Sequence, residues 1–397
     1  MRRTALLAVA AGFMLVSSAC ATSPRVDEPT TESTTAPRAT AAASTTVTAS
    51  TMTTTISPDE LAVSELEAYV VDHVAAGSFS GVVAVAEDGV LAMQEAAGLA
   101  NRDLGTPNRF DTRFNLGSMD KMFTAVAIMQ LVERGIVSVD DTVGDYLRWY
   151  PDPEVADGIT VHQLLTHTSG MGDYFDSEQY LDQNDQIDSL DDYLALFVDE
   201  PLLFEPGSQF GYSNSGYIVL GLIIEAVSGE DYYQYVQEHV FRPSGMNRTG
   251  CLGLDANVPD LAVGYTSLDW EGNDTGDIRE NTPMLPQRGG SAGGCYSTAP
   301  DLLAFANAIQ RNLLLGEEAT HTLLEGKVNV VETVEYAYGF FIRSVGGVRK
   351  LGHGGGFPGV CGILSIYPDP GVTVATLSNS DQDCIAIDET AGDILTR

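Results

Sequence analysis

The order of apolar patterns along this 397-residue chain predicts an α+β fold. An antiparallel β-sheet is built from both chain ends and flanked by helices, with a helical region inserted at about 135–325. Three observations carry that reading. Strand-like runs appear early, at 81–86 and 90–93, and return after residue 335. Between them lie helix-period stretches and loops. The chain then closes on one more helical pattern, Ile385–Leu395.

Taken in order, Glu60–Val74 has the spacing of an amphipathic helix, entered through Ser57-Pro58-Asp59-Glu60 with proline early and acids in the first turn. Glu87-Asp88-Gly89 joins the first two strands as a hairpin, because such residues tolerate the positive φ of a tight turn. From Met119 to Val132 there is no Gly or Pro, and the apolar residues point in nearly every direction. That pattern predicts a helix buried all round and stopped at Gly135. A second apolar helix is expected at Ile218–Val227. Strands follow at Tyr336–Arg343, Val348–Leu351, Val360–Tyr367 and Val372–Leu377, the last two joined by Pro368-Asp369-Pro370-Gly371.

Ahead of this domain, Met1-Arg2-Arg3, an apolar run from Ala5 to Val16 and Ser17-Ser18-Ala19-Cys20 have the layout of an export signal, too short for an ordinary membrane span. A cysteine after small residues resembles a bacterial lipoprotein signal, with Cys20 acylated as the mature N-terminus, although Ser17 stands where leucine is usual. With or without the lipid, the mature chain is expected outside the cytoplasm, and any membrane contact to run through the anchor. Residues 21–57 are Thr, Ser, Ala and Pro almost throughout and are expected to form a disordered tether. The folded domain is 58–397.

The formal net charge of −35 argues against nucleic acid as a partner, since phosphate contacts need Lys and Arg, and against docking on anionic lipid. Besides Cys20 there are Cys251, Cys295, Cys361 and Cys384. In an oxidising compartment four cysteines allow three disulfide connectivities, of which nearest-neighbour pairing is the expectation. None has metal-ligand spacing, the histidines do not cluster with them, and no metal or cofactor is expected.

Three constellations carry chemistry. Ser118 lies three residues before Lys121, so on a helix the two share a face at its N-terminus. A lysine on a buried helix is driven toward its neutral form, with positive neighbours expected to help, and a neutral amine beside a hydroxyl is an activated nucleophile. The plainer alternative makes Ser118 a helix cap and sends Lys121 to solvent. Tyr212 and Asn214 flank Ser213 and can face one cleft from an extended segment, the phenol serving proton transfer and the amide orienting an amine and a carbonyl. Gly352-His353-Gly354-Gly355-Gly356 lies between two expected strands, where glycines admit close approach of a ligand. The His353 side chain is expected to face substrate and set which acyl groups are accepted.

The order Ser-x-x-Lys, Tyr-x-Asn, His-Gly-Gly resembles the penicillin-recognising serine hydrolases: class C β-lactamases, D-alanyl-D-alanine carboxypeptidases, D-aminopeptidases and related esterases. The resemblance covers about 58–397 and extends to Leu164-Leu165-Thr166-His167-Thr168-Ser169-Gly170, Phe204-Glu205-Pro206-Gly207 and the stretch Ala292–Leu302. It implies a site in a cleft between the sheet and a helical region. By it, Ser118 is acylated, Lys121 and Tyr212 supply base and acid, and Asn214, His353 and Gly355 contact substrate. The amides of Ser118 and Gly356 form the oxyanion hole. Where β-lactamases usually carry Lys-Thr-Gly, this chain has His353-Gly354-Gly355, and a neutral imidazole binds carboxylate less strongly than an ammonium. The function expected is therefore an exported monomeric serine hydrolase acting on a small-molecule or peptide substrate, wall-derived ones included. A β-lactamase, or a catalytically dead relative that binds wall fragments, is the alternative.

Overall fold

The structure is a computed structural model that describes residues 58–76, 79–256, 258–381 and 383–397. The leader, Cys20 and the tether expected over 1–57 lie outside the described residues.

Eight strands form one antiparallel sheet: β1 (Gly81–Glu87), β2 (Val90–Ala97), β3 (Val328–Val331), β4 (Val334–Tyr336), β5 (Phe341–Val345), β6 (Val348–Phe357), β7 (Val360–Tyr367) and β8 (Val372–Ser378). Their spatial order is β2-β1-β8-β7-β6-β5-β4-β3. The two chain ends meet where β1 pairs with β8, from Gly81 opposite Ser378 to Glu87 opposite Val372. The first hairpin turns as its sequence suggests, with φ of 50° at Asp88 and 79° at Gly89, both left-handed as a tight two-residue turn requires.

Five helices frame the sheet: α1 (Pro58–Ala75), α2 (Asp120–Glu133), α3 (Asn214–Ser228), α4 (Ala299–Gln310) and α5 (Asp383–Leu395). One sheet face packs Val83, Val85 and Val374 against Leu66 and Val70 of α1 and Ile387 and Ala391 of α5. The other face joins Val82, Ala84, Leu364 and Leu377 to a large core around α2 and α3. Residues Asp120 through Met129 of α2 are all buried, so this helix touches protein on every side. Phe123 meets Phe241 and Phe305 edge-on, at centroid distances of 5.0 and 4.8 Å. Cys251 bridges to Cys295 and Cys361 to Cys384, the second tying β7 to α5.

Three expectations need correction. Tyr336–Arg343 is two strands, because Gly339 turns at φ 76° and the amide of Ala337 bonds back to the carbonyl of Phe340. The expected strand Val348–Leu351 does not stop before the glycine run, since β6 continues through it to Phe357, paired with β7 from Leu351 onward. Antiparallel pairing supplies the backbone bonds that the missing side chains cannot. The inserted region is also not purely helical: it holds a hairpin of Tyr265–Leu268 and Asp274–Glu280, and its helix α4 packs on β1 and β8.

Candidate active site

Ser118 sits in a 3-10 turn, Gly117–Met119, that leads into α2. It does not cap the helix, whose N-cap position is Met119 with no side-chain bond. Two glycines let β6 cross this turn at backbone contact. A Cβ on Gly355 would lie 1.8 Å from the carbonyl oxygen of Leu116 and 3.0 Å from the amide nitrogen of Ser118. Gly117 takes φ 50°, and a Cβ there would stand 3.0 Å from the amide nitrogen of Gly356. Both amides expected to hold an oxyanion therefore lie at this crossing, beside the Ser118 hydroxyl. A Gly355→Ala variant is expected to lose about 1–3 kcal/mol of stability, because backbone rather than a flexible side chain must move. It should also lose most activity at a temperature where it remains folded. Denaturant unfolding and kcat/KM of that variant check both.

Lys121 is completely buried. Its Nζ lies 3.1 Å from Ser118 Oγ, 2.5 Å from Asn214 Oδ1 and 2.6 Å from the carbonyl oxygen of Ala292. Burial pulls its pKa from 10.5 to about 7, with Asp173 and Asp120 pulling the other way. The positive neighbours expected from sequence are not the cause, for the charged groups that act on Lys121 are carboxylates. Those carboxylates are themselves weakened. Burial raises Asp120 to about 8, against a bond from the Cys295 amide at 2.7 Å. It raises Asp173 too, against bonds from the amides of Phe175 and Asn214.

The consequence is a proton assignment. Asn214 Oδ1 and the Ala292 carbonyl can only accept hydrogen bonds. A neutral Lys121 has two N–H donors and one lone pair, so both donors are taken and the lone pair is left for the Ser118 O–H. The orientation of Asn214 is held from behind, as its Nδ2 donates to Asp173 Oδ2 at 2.7 Å. Asn214 is thus the first residue of α3, capped by Ser213, rather than part of an extended segment, and its amide links Lys121 to Asp173.

The Tyr212 ring lies 4.8 Å from Lys121 Nζ. Burial raises its pKa well above 10, and a hydrogen bond with Ser118 offsets this only in part. The pair Lys121 and Tyr212 is therefore split, the amine toward base and the phenol toward acid.

His353 departs from expectation. Its side chain is 3% exposed and borders the cleft, but both ring nitrogens are occupied. Nδ1 lies 2.6 Å from the Gly354 carbonyl oxygen, an obligate acceptor, so Nδ1 carries the proton and Nε2 accepts from Tyr336 Oη at 3.2 Å. Burial, then Lys121, hold its pKa at about 3, so it is neutral at any working pH. A ring so engaged braces the cleft and has no free donor or acceptor for an acyl group.

Sequence reasoning missed Asp173, Asp120, Tyr336 and the Ala292 carbonyl, and treated His167 only as part of a resemblance. His167 has φ 57°, stacks on Tyr212 at 4.2 Å, accepts from the Ser213 amide at 3.1 Å and reaches Tyr336 Oη at 3.2 Å. Asp120 lies inside the Ser-x-x-Lys stretch, where a lone acid on a buried helix was a usable signal. Asp173 sits in a loop without periodicity and nothing local marks it, while Ala292 was singled out only as the start of a stretch that carries the resemblance. Cys295, puzzling by itself, gains a role. Its bridge to Cys251 anchors the segment whose amide bonds Asp120 and whose carbonyl accepts from the Leu116 amide.

The β-lactamase family is matched over residues 66–391. Penicillin-binding protein 4* of Bacillus subtilis (strain 168) is 30% identical over 322 residues, covering 77% of this chain and 69% of that protein. Esterase EstB of Burkholderia gladioli is 38% identical over 200 residues, 46% of this chain and 49% of the esterase. The crystal structure of a penicillin binding protein from Bacillus halodurans superposes with a TM-score of 0.74 at 35% identity, covering 82% of this chain and 98% of that one.

Proposed function

The chain belongs to the β-lactamase family and is a serine hydrolase, and we propose that it passes the acyl group of an ester, amide or peptide to Ser118 and then to water. The observation that carries this reading is the buried lysine whose Nζ lies 3.1 Å from Ser118 Oγ while also contacting Asn214 Oδ1 and the Ala292 carbonyl oxygen, two groups that can only accept. Lys121 takes the proton of Ser118 as Oγ attacks the carbonyl carbon. The charge that develops on the carbonyl oxygen is met by the amides of Ser118 and Gly356. Tyr212, kept protonated by its surroundings, gives its proton to the departing oxygen or nitrogen and recovers one from the Lys121 ammonium. Water then repeats the attack on the acyl-serine with Lys121 again as base. A passive binding relative would have no need of this network.

Neutral His353, engaged on both nitrogens, supplies no positive charge for the carboxylate of a β-lactam. Esters, amides and peptides therefore stand ahead of β-lactams in this reading, and wall-derived substrates fit it. The export signal, Cys20 as an anchor and the two disulfides together support a place outside the cytoplasm. No helix among the described residues is long and apolar enough to cross a membrane.

Incubation with an activated ester and with a penicillin, followed by intact-mass measurement and peptide mapping, tests the assignment. A covalent acyl adduct on Ser118 is the expected result. Turnover accompanied by an adduct on any other residue would overturn it.

A further inference from the structure

Two cavities meet at Ser118 and Gly356, and they differ in chemistry. One, about 810 Å³ with its open mouth, includes Tyr212 and His353. Its lining mixes apolar groups such as Phe341, Leu351 and Ile385 with the charged Arg343, Asp388 and Glu389. The other, about 410 Å³ with its mouth, has Asn214 at its entrance and Tyr174, Phe175, Tyr180, Tyr193 and Phe357 as walls. No Asp, Glu, Lys, Arg or His among the described residues lines it. Trp270, at the tip of the 265–280 hairpin, backs that wall, stacked on Tyr180 at 5.1 Å and edge-on to Phe175 and Phe357.

Geometry decides which half of a substrate goes where. When the carbonyl oxygen points at the amides of Ser118 and Gly356, the carbonyl carbon has two substituents left, the leaving group and the acyl chain. The leaving group must reach the proton donor. Tyr212 lines the first cavity and not the aromatic one. The acyl chain is left with the aromatic cavity.

We propose that this enzyme selects substrates with an uncharged, apolar acyl group, seated among Tyr174, Phe175, Tyr180, Tyr193 and Phe357, and turns the leaving group toward Tyr212 in the first cavity. The assignment rests on Ser118 as nucleophile and Tyr212 as proton donor. A carboxylate on the acyl group would be desolvated against aromatic rings with no cation to pair it.

The test compares kcat/KM for p-nitrophenyl butyrate and p-nitrophenyl hemisuccinate. They share a leaving group and differ where a terminal methyl becomes a carboxylate of similar size. The expected preference for butyrate is about 100-fold, the scale on which a site rejects a group it cannot pair. Phe175→Lys, which puts a cation in the wall, should shrink the ratio at least tenfold. Phe357→Lys, on a different element, serves the same purpose if the first variant does not fold. Equal rates for the two esters, abolished together in Ser118→Ala, would overturn the cavity assignment and leave the nucleophile standing. A preference that both lysine variants leave unchanged would overturn it as well. Hydrolysis that survives Ser118→Ala, or no hydrolysis of either ester, would remove the nucleophile reading and this inference together.

Discussion

Ser118→Ala is expected to lower kcat/KM by about 10⁴-fold or more, the scale seen when an acyl-transfer nucleophile is removed. Folding should hardly change. The hydroxyl caps no helix end, and the residue is only half buried, so the stability cost should stay under about 1 kcal/mol. What disappears is the one atom that can bond to the acyl carbon beside the amides of Ser118 and Gly356. Steady-state kinetics on an activated ester, with denaturant unfolding of the same preparation, separate the two effects. Turnover within tenfold of the parent would mean that the acyl group is carried elsewhere.

Lys121→Arg is expected to cost about 10³-fold or more, since general base catalysis contributes roughly 10²–10⁴-fold and a guanidinium has no lone pair to offer. The same residue sets the pH profile. Its pKa in the folded protein is depressed from 10.5 to about 7, first by burial. The form that accepts the Ser118 proton is the neutral amine, which predominates above that value. kcat/KM should therefore fall about tenfold for each pH unit below 7 and level off above it. The profile of the parent enzyme between pH 5 and 9 checks this. A limb that keeps rising through pH 9 would show that the amine stays charged in the fold. An Arg variant with parental activity would show that the base is another group.

Much of the fold was legible in local pattern. Strand runs at both chain ends, an Asp-Gly hairpin and a helix apolar on all sides each follow from a few neighbouring residues, and each appears where it was expected. The nearest-neighbour disulfide pairing also appears. Errors arose where a glycine served something distant. The expected strand stopped at Leu351 because glycine is a poor strand former, yet β6 runs on through 352–356 because it must pass within contact of the turn holding Ser118. Gly339 split one expected strand into two for a similar reason, since a Cβ there would lie 2.7 Å from the Lys121 carbonyl oxygen.

By itself, the sequence determined that Ser118 lies one turn before Lys121 at the start of a buried helix, because a three-residue spacing and helical periodicity are properties of neighbouring residues. It also determined that a lysine there would be pressed toward neutrality, since burial alone disfavours the charge. Only the tertiary structure decided what that lysine does with its donors and lone pair, and that the surrounding charges oppose its neutrality. It likewise turned His353 inward onto Tyr336 and set an uncharged aromatic cavity beside Ser118, apart from the one that Tyr212 lines. Those outcomes depend on contacts across long stretches of chain, from Asn214 to Lys121 and from Ala292 to Lys121. Hydrogen bonding and desolvation act through space over a few ångströms, and no local pattern records which distant groups the fold will bring that close.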